Sequence, residues 1–369
     1  MRLKKIGKDA RIRVLVVDDS VVIRRLVGHA LEHNPSFEVV GNAANGAIAL
    51  RMIPLIKPDV VTLDVEMPEM DGIQTLREIR RLYPELIVIM FSTLTERCAA
   101  ITIQALTLGA NDYVAKVANI GSLDRSMARL QEELIPKLEQ FFTRETGAAT
   151  AVKPPVAAPI PPARSEFTRT PPQSFPLGKG TSYRAVVVGV STGGPQALAK
   201  VVPMIPESFP LPILIVQHMP ALFTRLLADR LQQLTKLRVQ EGQEGTTVEG
   251  GSIYIAPGGF HMRVARKETS EVLMLNQEEP ENSCRPAVDV LFRSAAEVYK
   301  GSVIAVMLTG MGQDGKLGVE LLRQRGAYVI AQDQKSSVVW GMPGAVVQAG
   351  LAHSVVDLQC VAPEIAKHV

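Results

Sequence analysis

A serine in a glycine-rich turn is the clearest candidate for a reactive side chain in this sequence. Residues 189–193 read G-V-S-T-G and match the pattern G-x-S-x-G, with Ser191 at its centre. The apolar run at 185–188 predicts a buried strand, and Pro195 suits the first turn of a following helix. A hydroxyl there can attack a carbonyl, beside N–H groups that stabilise the resulting negative charge. A phosphate-binding loop, or a tight turn without chemistry, fits the same residues.

A nucleophilic serine needs a base, and His218 and Asp314 are the candidates for its partners. His218 follows the apolar run at 212–217, and Asp314 lies in a glycine-rich segment after the run at 303–308. If these strands are parallel, all three side chains meet at one sheet edge. His218 then accepts the serine proton, while Asp314 orients and stabilises the imidazole. Taken singly, His218 could be a structural histidine and Asp314 a helix cap.

A second group of polar residues follows predicted strands in the first half of the chain. Three carboxylates at one sheet edge repel each other unless a cation joins them, and an oxygen-only cluster favours Mg²⁺. A lysine and a hydroxyl nearby would suit a phosphoryl group, although each aspartate could alternatively cap a helix. The residues concerned are Asp18, Asp19, Asp64, Ser92 and Lys116.

The elements that must position these residues alternate between strand and helix in both halves. Such alternation predicts right-handed βαβ units and parallel sheets. Three short segments in the second half, at 251–255, 260–264 and 272–275, are predicted to be antiparallel strands. The other predicted strands are 12–17, 37–41, 60–63 and 87–91 in the first half, and 185–188, 212–217, 303–308 and 327–331 in the second.

Length and composition indicate an ordinary globular protein of two domains. The chain has 369 residues, of which 46% are hydrophobic and 21% charged, and one core rarely serves so many residues. A net charge of +3 is too small to indicate nucleic-acid binding. The apolar runs are too short for membrane insertion, and no signal peptide is recognisable. The cysteines, at positions 98, 284 and 360, form no metal motif, which favours a cytoplasmic location.

A stretch rich in proline and alanine separates the two halves. From about residue 142 to residue 182 the sequence includes three Pro-Pro pairs, at 154–155, 161–162 and 171–172. Such a composition cannot bury a core and predicts a partly extended linker. A proline-rich docking motif is an open alternative.

The first half resembles the receiver domains of two-component response regulators, over about residues 10–130. The order of Asp18-Asp19, Asp64 with Met67-Pro68, Ser92, Tyr113 and Lys116 carries this resemblance. It implies that Asp64 is the phosphorylation site and that Asp18, Asp19 and Asp64 bind Mg²⁺. It also implies that Ser92 and Tyr113 form the switch pair, with Lys116 beside the phosphoryl group. Val117 departs from the family, which usually has proline there.

The second half resembles the effector domain of chemotaxis protein-glutamate methylesterases, whose members also act as protein-glutamine glutaminases. Four separated motifs carry the resemblance: GVSTGG at 189–194, QHMP at 217–220, APGG at 256–259 and LTGMGQDG at 308–315. It implies a catalytic triad of Ser191, His218 and Asp314, with the backbone N–H of Met311 as an oxyanion donor. The esterase chemistry requires no cofactor. Chemoreceptors would be the substrates, and a chemotaxis histidine kinase the phosphodonor.

These inferences predict two doubly wound parallel-sheet α/β domains, a flavodoxin-like receiver and a Rossmann-like effector with an antiparallel hairpin. The predicted divisions are a receiver at 10–130, a helical extension and linker at 131–182, and a catalytic domain at 183–369. We further expect the tethered receiver to cover the effector cleft until Asp64 is phosphorylated. Two alternatives stay open: a non-catalytic regulator that binds phosphate on its glycine loop, and a hydrolase for another acyl substrate.

Overall fold

Each half of the chain forms a parallel sheet that is buried on both faces. The computed structural model describes residues 4–7, 10–93, 95–116, 123–144 and 182–369. In the first sheet, Leu15 and Val17 pack into one buried cluster, whereas Val14 and Val16 pack into another. Because successive side chains of a strand point to opposite faces, both faces of this sheet are covered.

The first half contains a five-stranded parallel sheet whose neighbouring strands are, in order, Phe37–Ala43, Ile12–Val17, Val60–Asp64, Ile87–Ser92 and Asp112–Ala115. Ser20 caps the first helix by accepting a hydrogen bond from the Ile23 N–H. The elements are β1 Lys4–Ile6, β2 Ile12–Val17, α1 Val21–Glu32, β3 Phe37–Ala43, α2 Gly46–Ile56, β4 Val60–Asp64, α3 Gly72–Leu82, β5 Ile87–Ser92, α4 Glu96–Leu108, β6 Asp112–Ala115, α5 Leu123–Glu139 and β7 Phe142–Arg144.

The second half contains a separate antiparallel hairpin, His261–Lys267 with Ser270–Asn276, and a seven-stranded parallel sheet. The neighbouring strands of that sheet are, in order, Arg238–Glu241, Ser252–Ile255, Ile213–Gln217, Ala185–Val190, Val303–Met307, Tyr328–Gln332 and Ser354–Val356. Short 3₁₀ helices occur at Val202–Met204 and Leu358–Cys360. The remaining elements are β8 Ala185–Val190, α6 Gly194–Val201, β9 Ile213–Gln217, α7 Phe223–Gln232, β10 Arg238–Glu241, β11 Ser252–Ile255, β12 His261–Lys267, β13 Ser270–Asn276, α8 Val288–Val298, β14 Val303–Met307, α9 Lys316–Gln324, β15 Tyr328–Gln332, α10 Met342–Gln348, β16 Ser354–Val356 and α11 Val361–Ala366.

The predicted α/β architecture with two parallel sheets and an antiparallel hairpin is confirmed, but the orientation of one strand was predicted wrongly. β11 pairs in parallel with β9 and β10 and belongs to the main sheet. All four of its residues are buried, as in a strand covered on both faces. In addition, β7 pairs with β1, so residues at the expected start of the linker form a strand. Val117 and residues 145–181 of the linker lie outside the described residues.

The two halves pack against each other through helix α4 of the first and helices α6 and α7 of the second. The rings of Tyr113 and Phe223 stack across this boundary with their centroids 4.6 Å apart. An ion pair between Glu96 and Arg225 also crosses it. Among the described residues, no helix combines the length and the apolar character needed to cross a membrane.

Two glycines in the first half test the packing of this fold. A Cβ added at Gly72 would lie 2.2 Å from the Asp64 backbone oxygen, so helix α3 would have to move. A Cβ added at Gly28, inside α1, meets nothing within 4 Å. We expect Gly72→Ala to lower the free energy of unfolding by about 1–3 kcal/mol, and Gly28→Ala to raise it by about 0.5–1 kcal/mol. Urea unfolding measures both changes, and equal effects of the two substitutions would contradict the structure.

Candidate active site and phosphorylation site

Three neighbouring strands of the second sheet bring the predicted serine, histidine and aspartate together. Strands β9, β8 and β14 are adjacent, and their carboxyl ends share one edge. Ser191 directly follows β8, His218 directly follows β9, and Asp314 lies in the loop after β14. Ser191 and His218 line one cleft, and Asp314 is buried beneath it.

The serine backbone is fixed by the turn between β8 and α6. The Ser191 N–H donates to the Thr309 carbonyl at 3.0 Å, and the Ser191 carbonyl accepts from the Gly194 N–H at 2.8 Å and Gln217 Nε2 at 3.0 Å. Gly193 has a φ of 78°, and a Cβ there would lie 2.5 Å from the Cβ of Val338. Glycine is therefore required both by the left-handed conformation and by the space available.

His218 and Asp314 form a direct hydrogen bond. Nε2 of the imidazole lies 2.8 Å from Oδ2 of the carboxylate. Burial alone would lower the pKa of His218, but hydrogen bonds with Asp314 and with the Cys284 thiol outweigh it and raise the pKa to about 9. The imidazole is therefore stabilised in its charged form by the buried carboxylate.

The Asp314 carboxylate receives donors from three further groups. Oδ2 accepts from the Val288 N–H at 2.6 Å, and Oδ1 accepts from the Asp289 N–H at 3.1 Å and from Asn282 Nδ2 at 2.8 Å. Burial alone would raise the pKa of Asp314, but the hydrogen bond and the charge of His218, together with these donors, lower it. The carboxylate is held ionised and in one orientation.

In the part of the chain that the structure describes, the Ser191 hydroxyl forms no hydrogen bond with the His218 imidazole. Ser191 and His218 face the same cleft, together with Met311, whose backbone the sequence pointed to as an oxyanion donor. Met311 is 47% exposed. The structure therefore joins His218 to Asp314 directly and brings Ser191 and Met311 to the same cleft.

Sequence reasoning missed three residues around this pair: Asn282, Asp289 and Cys284. They lie just before and at the start of helix α8, beside Pro286. Polar residues before a proline are typical of a loop that leads into a helix. Their proximity to Asp314 depends on tertiary packing, so the local sequence does not indicate it. His261 is buried beside the same segment: Nε2 lies 3.1 Å from the Glu279 carbonyl, and Nδ1 accepts from the Ala287 N–H at 3.2 Å.

Residues of the first half form one wall of the cleft. The cleft has a volume of about 780 Å³, and its wall includes Asp112, Tyr113 and Gln140. The hydroxyl of Thr192, the residue after the serine, lies 3.1 Å from Gln140 Oε1 and 3.4 Å from Asp112 Oδ2. The first half thus contacts the turn that carries Ser191.

The first sheet brings its three predicted carboxylates together at one edge. One oxygen from each of Asp18, Asp19 and Asp64 lies within 4.8 Å of the others. Lys116 Nζ lies 2.8 Å from Asp18 Oδ2 and 2.7 Å from Asp64 Oδ2. Burial raises the pKa of Asp64 to about 6, although the hydrogen bond from Lys116 opposes this rise. An acidic cluster of oxygen donors of this kind fits Mg²⁺.

The two predicted switch residues occupy neighbouring strands of the same sheet. Ser92 ends β5 and is fully buried, with its hydroxyl 3.1 Å from the Thr93 carbonyl. Tyr113 lies in β6, and its ring is buried between Phe223 on one side and the Lys137 ammonium, 4.7 Å from the ring centroid. Tyr113 therefore connects the first sheet to helix α7 of the second half.

The contact between His218 and Asp314 gives a titration test. We expect the pKa of His218 to be about 9 in the intact chain. In Asp314→Asn the negative charge of the carboxylate is lost while burial stays, so the pKa of His218 should fall well below 9 even though the Cys284 contact remains. At pH 7.5 the protonated fraction of the imidazole should therefore decrease. NMR titration of the histidine ring protons measures this, with the exposed Asp229→Asn as control; an unchanged pKa in Asp314→Asn would contradict the geometry.

Comparisons with known proteins agree with this arrangement. Residues 186–365 match the CheB methylesterase family, and residues 14–128 match the response regulator receiver domain family. The chain is 46% identical to a protein-glutamate methylesterase/protein-glutamine glutaminase of Trichodesmium erythraeum, covering 97% of this chain and 99% of that protein. The corresponding protein of Nocardioides sp. is 47% identical, with coverage of 97% and 95%.

A solved structure shares the fold of the second half. The crystal structure of the Thermotoga maritima CheB methylesterase catalytic domain is 41% identical and matches with a TM-score of 0.50, covering 51% of this chain and 100% of that one. The two relatives named above match nearly the whole chain, including the receiver half. The chain therefore belongs to the protein-glutamate methylesterase/protein-glutamine glutaminase family, with a response-regulator receiver ahead of a CheB methylesterase unit.

Proposed function

We propose that this protein is a phosphorylation-activated serine hydrolase that removes methyl groups from glutamate methyl esters, and deamidates glutamines, on chemoreceptors. Relatives that match nearly the whole chain carry the name of this activity. The observation that carries the proposal is the 2.8 Å hydrogen bond between His218 and Asp314 below a cleft that also exposes Ser191. The cytoplasmic location and the domain boundaries expected from the sequence stay predictions.

The roles of the site residues follow from their chemistry. Ser191 Oγ attacks the side-chain carbonyl carbon of the methylated glutamate while His218 accepts the hydroxyl proton. The Met311 N–H stabilises the oxyanion, a contribution of about 3–4 kcal/mol. His218 then protonates the departing methoxide, which leaves as methanol. Water, deprotonated by His218, cleaves the glutamyl-serine ester and regenerates the serine. With glutamine, the leaving group is ammonia.

Asp314 contributes to these reaction steps by holding the imidazole of His218 in place. Its Oδ2 binds Nε2 of His218, which leaves Nδ1 as the ring nitrogen for proton exchange with substrate and serine. For that exchange, the Ser191 hydroxyl must rotate towards the imidazole, which in the resting arrangement contacts Cys284. Because the imidazole must be neutral to act as a base, kcat/KM should rise with pH as His218 loses its proton.

The receiver half supplies the control. Asp64 accepts the phosphoryl group from a chemotaxis histidine kinase, with Lys116 and the Ser92 hydroxyl beside it. Asp18, Asp19 and Asp64 would hold Mg²⁺, which offsets the negative charge of the carboxylates and the phosphoryl group. Their oxygen-only donor set, within 4.8 Å, fits this ion. Tyr113 connects the phosphorylation site to the cleft, because it belongs to the cleft wall and its ring stacks on Phe223 of the second half. We infer that phosphorylation loosens this wall and admits the receptor.

Methanol release from methylated receptor tests the activity and its control. Ser191→Ala should lose at least about 10⁴-fold in kcat because the nucleophile is absent. Asp64→Asn should keep the unphosphorylated rate but lose activation by a phosphodonor, because no acyl phosphate forms. Wild type with and without the phosphodonor is the reference. A Ser191→Ala protein that keeps wild-type activity would instead favour a non-catalytic glycine loop.

A charge exchange across the boundary tests inhibition by the receiver. Glu96→Arg and Arg225→Glu each replace an attractive pair by a repulsive one, which should weaken the closed arrangement. We expect each to raise the unphosphorylated rate by about two- to tenfold, corresponding to roughly 0.4–1.4 kcal/mol. The double substitution restores opposite charges and should restore inhibition.

Lys236→Glu controls for a general effect of surface charge in this experiment. Lys236 pairs with Glu207 at 2.9 Å within the second half, and both side chains are exposed. The unphosphorylated rate of Lys236→Glu should match that of the wild type. Single reversals that leave the unphosphorylated rate unchanged, or a double variant as active as the singles, would argue against a closed resting state held by this surface.

A further inference from the structure

A tight turn at residues 281–284 stands beside the buried Asp314. The Cys284 N–H donates to the Glu281 carbonyl at 2.9 Å, and the Glu281 N–H donates to the Cys284 carbonyl at 3.1 Å. Asn282 and Ser283 both have positive φ, at 53° and 62°. Two consecutive left-handed residues define a type I′ turn, which asparagine tolerates better than most residues. The backbone here adopts an uncommon conformation at the mouth of the active site.

A bidentate ion pair anchors this turn to helix α8. The two terminal nitrogens of Arg293 each lie 2.6 Å from one carboxylate oxygen of Glu281. The hydrogen bonds from Arg293 lower the pKa of Glu281. Paired hydrogen bonds of this kind fix orientation as well as distance. The turn therefore cannot rotate freely relative to α8, whose first turn also contacts Asp314.

The Asn282 carboxamide lies between two buried carboxylates. Its Nδ2 lies 2.8 Å from Asp314 Oδ1 and 3.1 Å from Asp289 Oδ2. Asp314 and Asp289 are 4% and 1% exposed, so their mutual repulsion is poorly screened by water. Burial, and then the charge of Asp314, raise the pKa of Asp289. An amide nitrogen carries two hydrogens, which allows it to donate to both carboxylates at once.

We propose that Asn282 is a positioning residue of the hydrolase, whose carboxamide fixes the rotation of the Asp314 carboxylate so that Oδ2 faces His218. Asn282 and the Asp289 N–H hold Oδ1, which leaves Oδ2 for the Val288 N–H and the imidazole. Without the carboxamide, the carboxylate loses a donor and faces Asp289 directly. It can then turn away from Nε2, and the imidazole loses its fixed orientation. This inference rests on the proposed roles of Ser191, His218 and Asp314.

The chain offers a matched pair of substitutions to test this role. Asn282→Gly removes the carboxamide, and glycine accepts the positive φ without strain. Ser283→Gly changes the next residue of the same turn in the same way but leaves the carboxamide. We expect Asn282→Gly to lower kcat for methanol release by roughly 10- to 100-fold with KM nearly unchanged, since misplaced catalytic groups cost up to about 100-fold. Ser283→Gly should keep the wild-type kcat.

Two further readouts separate positioning from a loss of folding. The low-field ¹H NMR resonance of the His218 Nε2–H should shift in Asn282→Gly but not in Ser283→Gly. Asn282→Asp keeps the size of the side chain but replaces the donor by a third carboxylate, so it should lose at least as much kcat as Asn282→Gly. Circular dichroism identifies any variant that is not folded, and the conclusion then rests on the other substitution at this position.

Several results would overturn the proposal. One is a folded Asn282→Gly protein that keeps the wild-type kcat and the wild-type chemical shift of the His218 Nε2–H. Another is an equal loss of kcat in Asn282→Gly and Ser283→Gly, which would assign the effect to the backbone of the turn. A wild-type rate in Asn282→Asp would also overturn it. Ser191→Ala measured in parallel distinguishes the causes: if Ser191→Ala is inactive while Asn282→Gly is fully active, only the positioning role fails. If Ser191→Ala is itself active, the proposed triad fails.

Discussion

The burial of the Asp314 carboxylate is the constraint on which the second half of the molecule depends. An isolated charge in a protein interior is costly, and it is tolerated only when donors surround it. Here the donors come from different elements: the imidazole after β9, Asn282 from the turn, and the Val288 and Asp289 N–H groups from α8. Helix α8 has no side-chain cap at Ala287. The carboxylate therefore satisfies the first N–H groups of this helix as well as orienting His218.

Most of the architecture could be predicted from the sequence because its signals are local. Apolar, β-branched runs mark the buried parallel strands, and the polar residue after each run lies at the sheet edge by topology alone. That reasoning placed Ser191 and His218 directly after their strands. It was wrong for β11, because a run as short as Ser252–Ile255 carries no local sign of its pairing partner. It also missed β10 and the pairing of β1 with β7, which depend on segments distant along the chain.

The candidate site was less predictable beyond its most recognisable residues. Asn282 acts on Asp314 across 32 positions of the sequence, and no periodicity or motif links them. The left-handed conformation of the turn is equally hidden, since Asn-Ser is less diagnostic than Asn-Gly for such turns. The contact between Cys284 and His218 depends on the same turn. These features arise from tertiary packing and leave no local signal in the sequence.

The contacts around the cleft also constrain how the receiver can control the enzyme. Among the described residues, every donor to Asp314 belongs to the second half, and so does Cys284, the further hydrogen-bonding contact of His218. The first half reaches the site through the Thr192 hydroxyl and through the wall that includes Tyr113 of the receiver and Gln140 of the helical extension. Moving the receiver would thus leave the His218–Asp314 hydrogen bond in place and would change access to Ser191. A switch of this kind would gate access to Ser191 beside an already oriented His218–Asp314 pair, because the contacts that orient the imidazole belong to the second half.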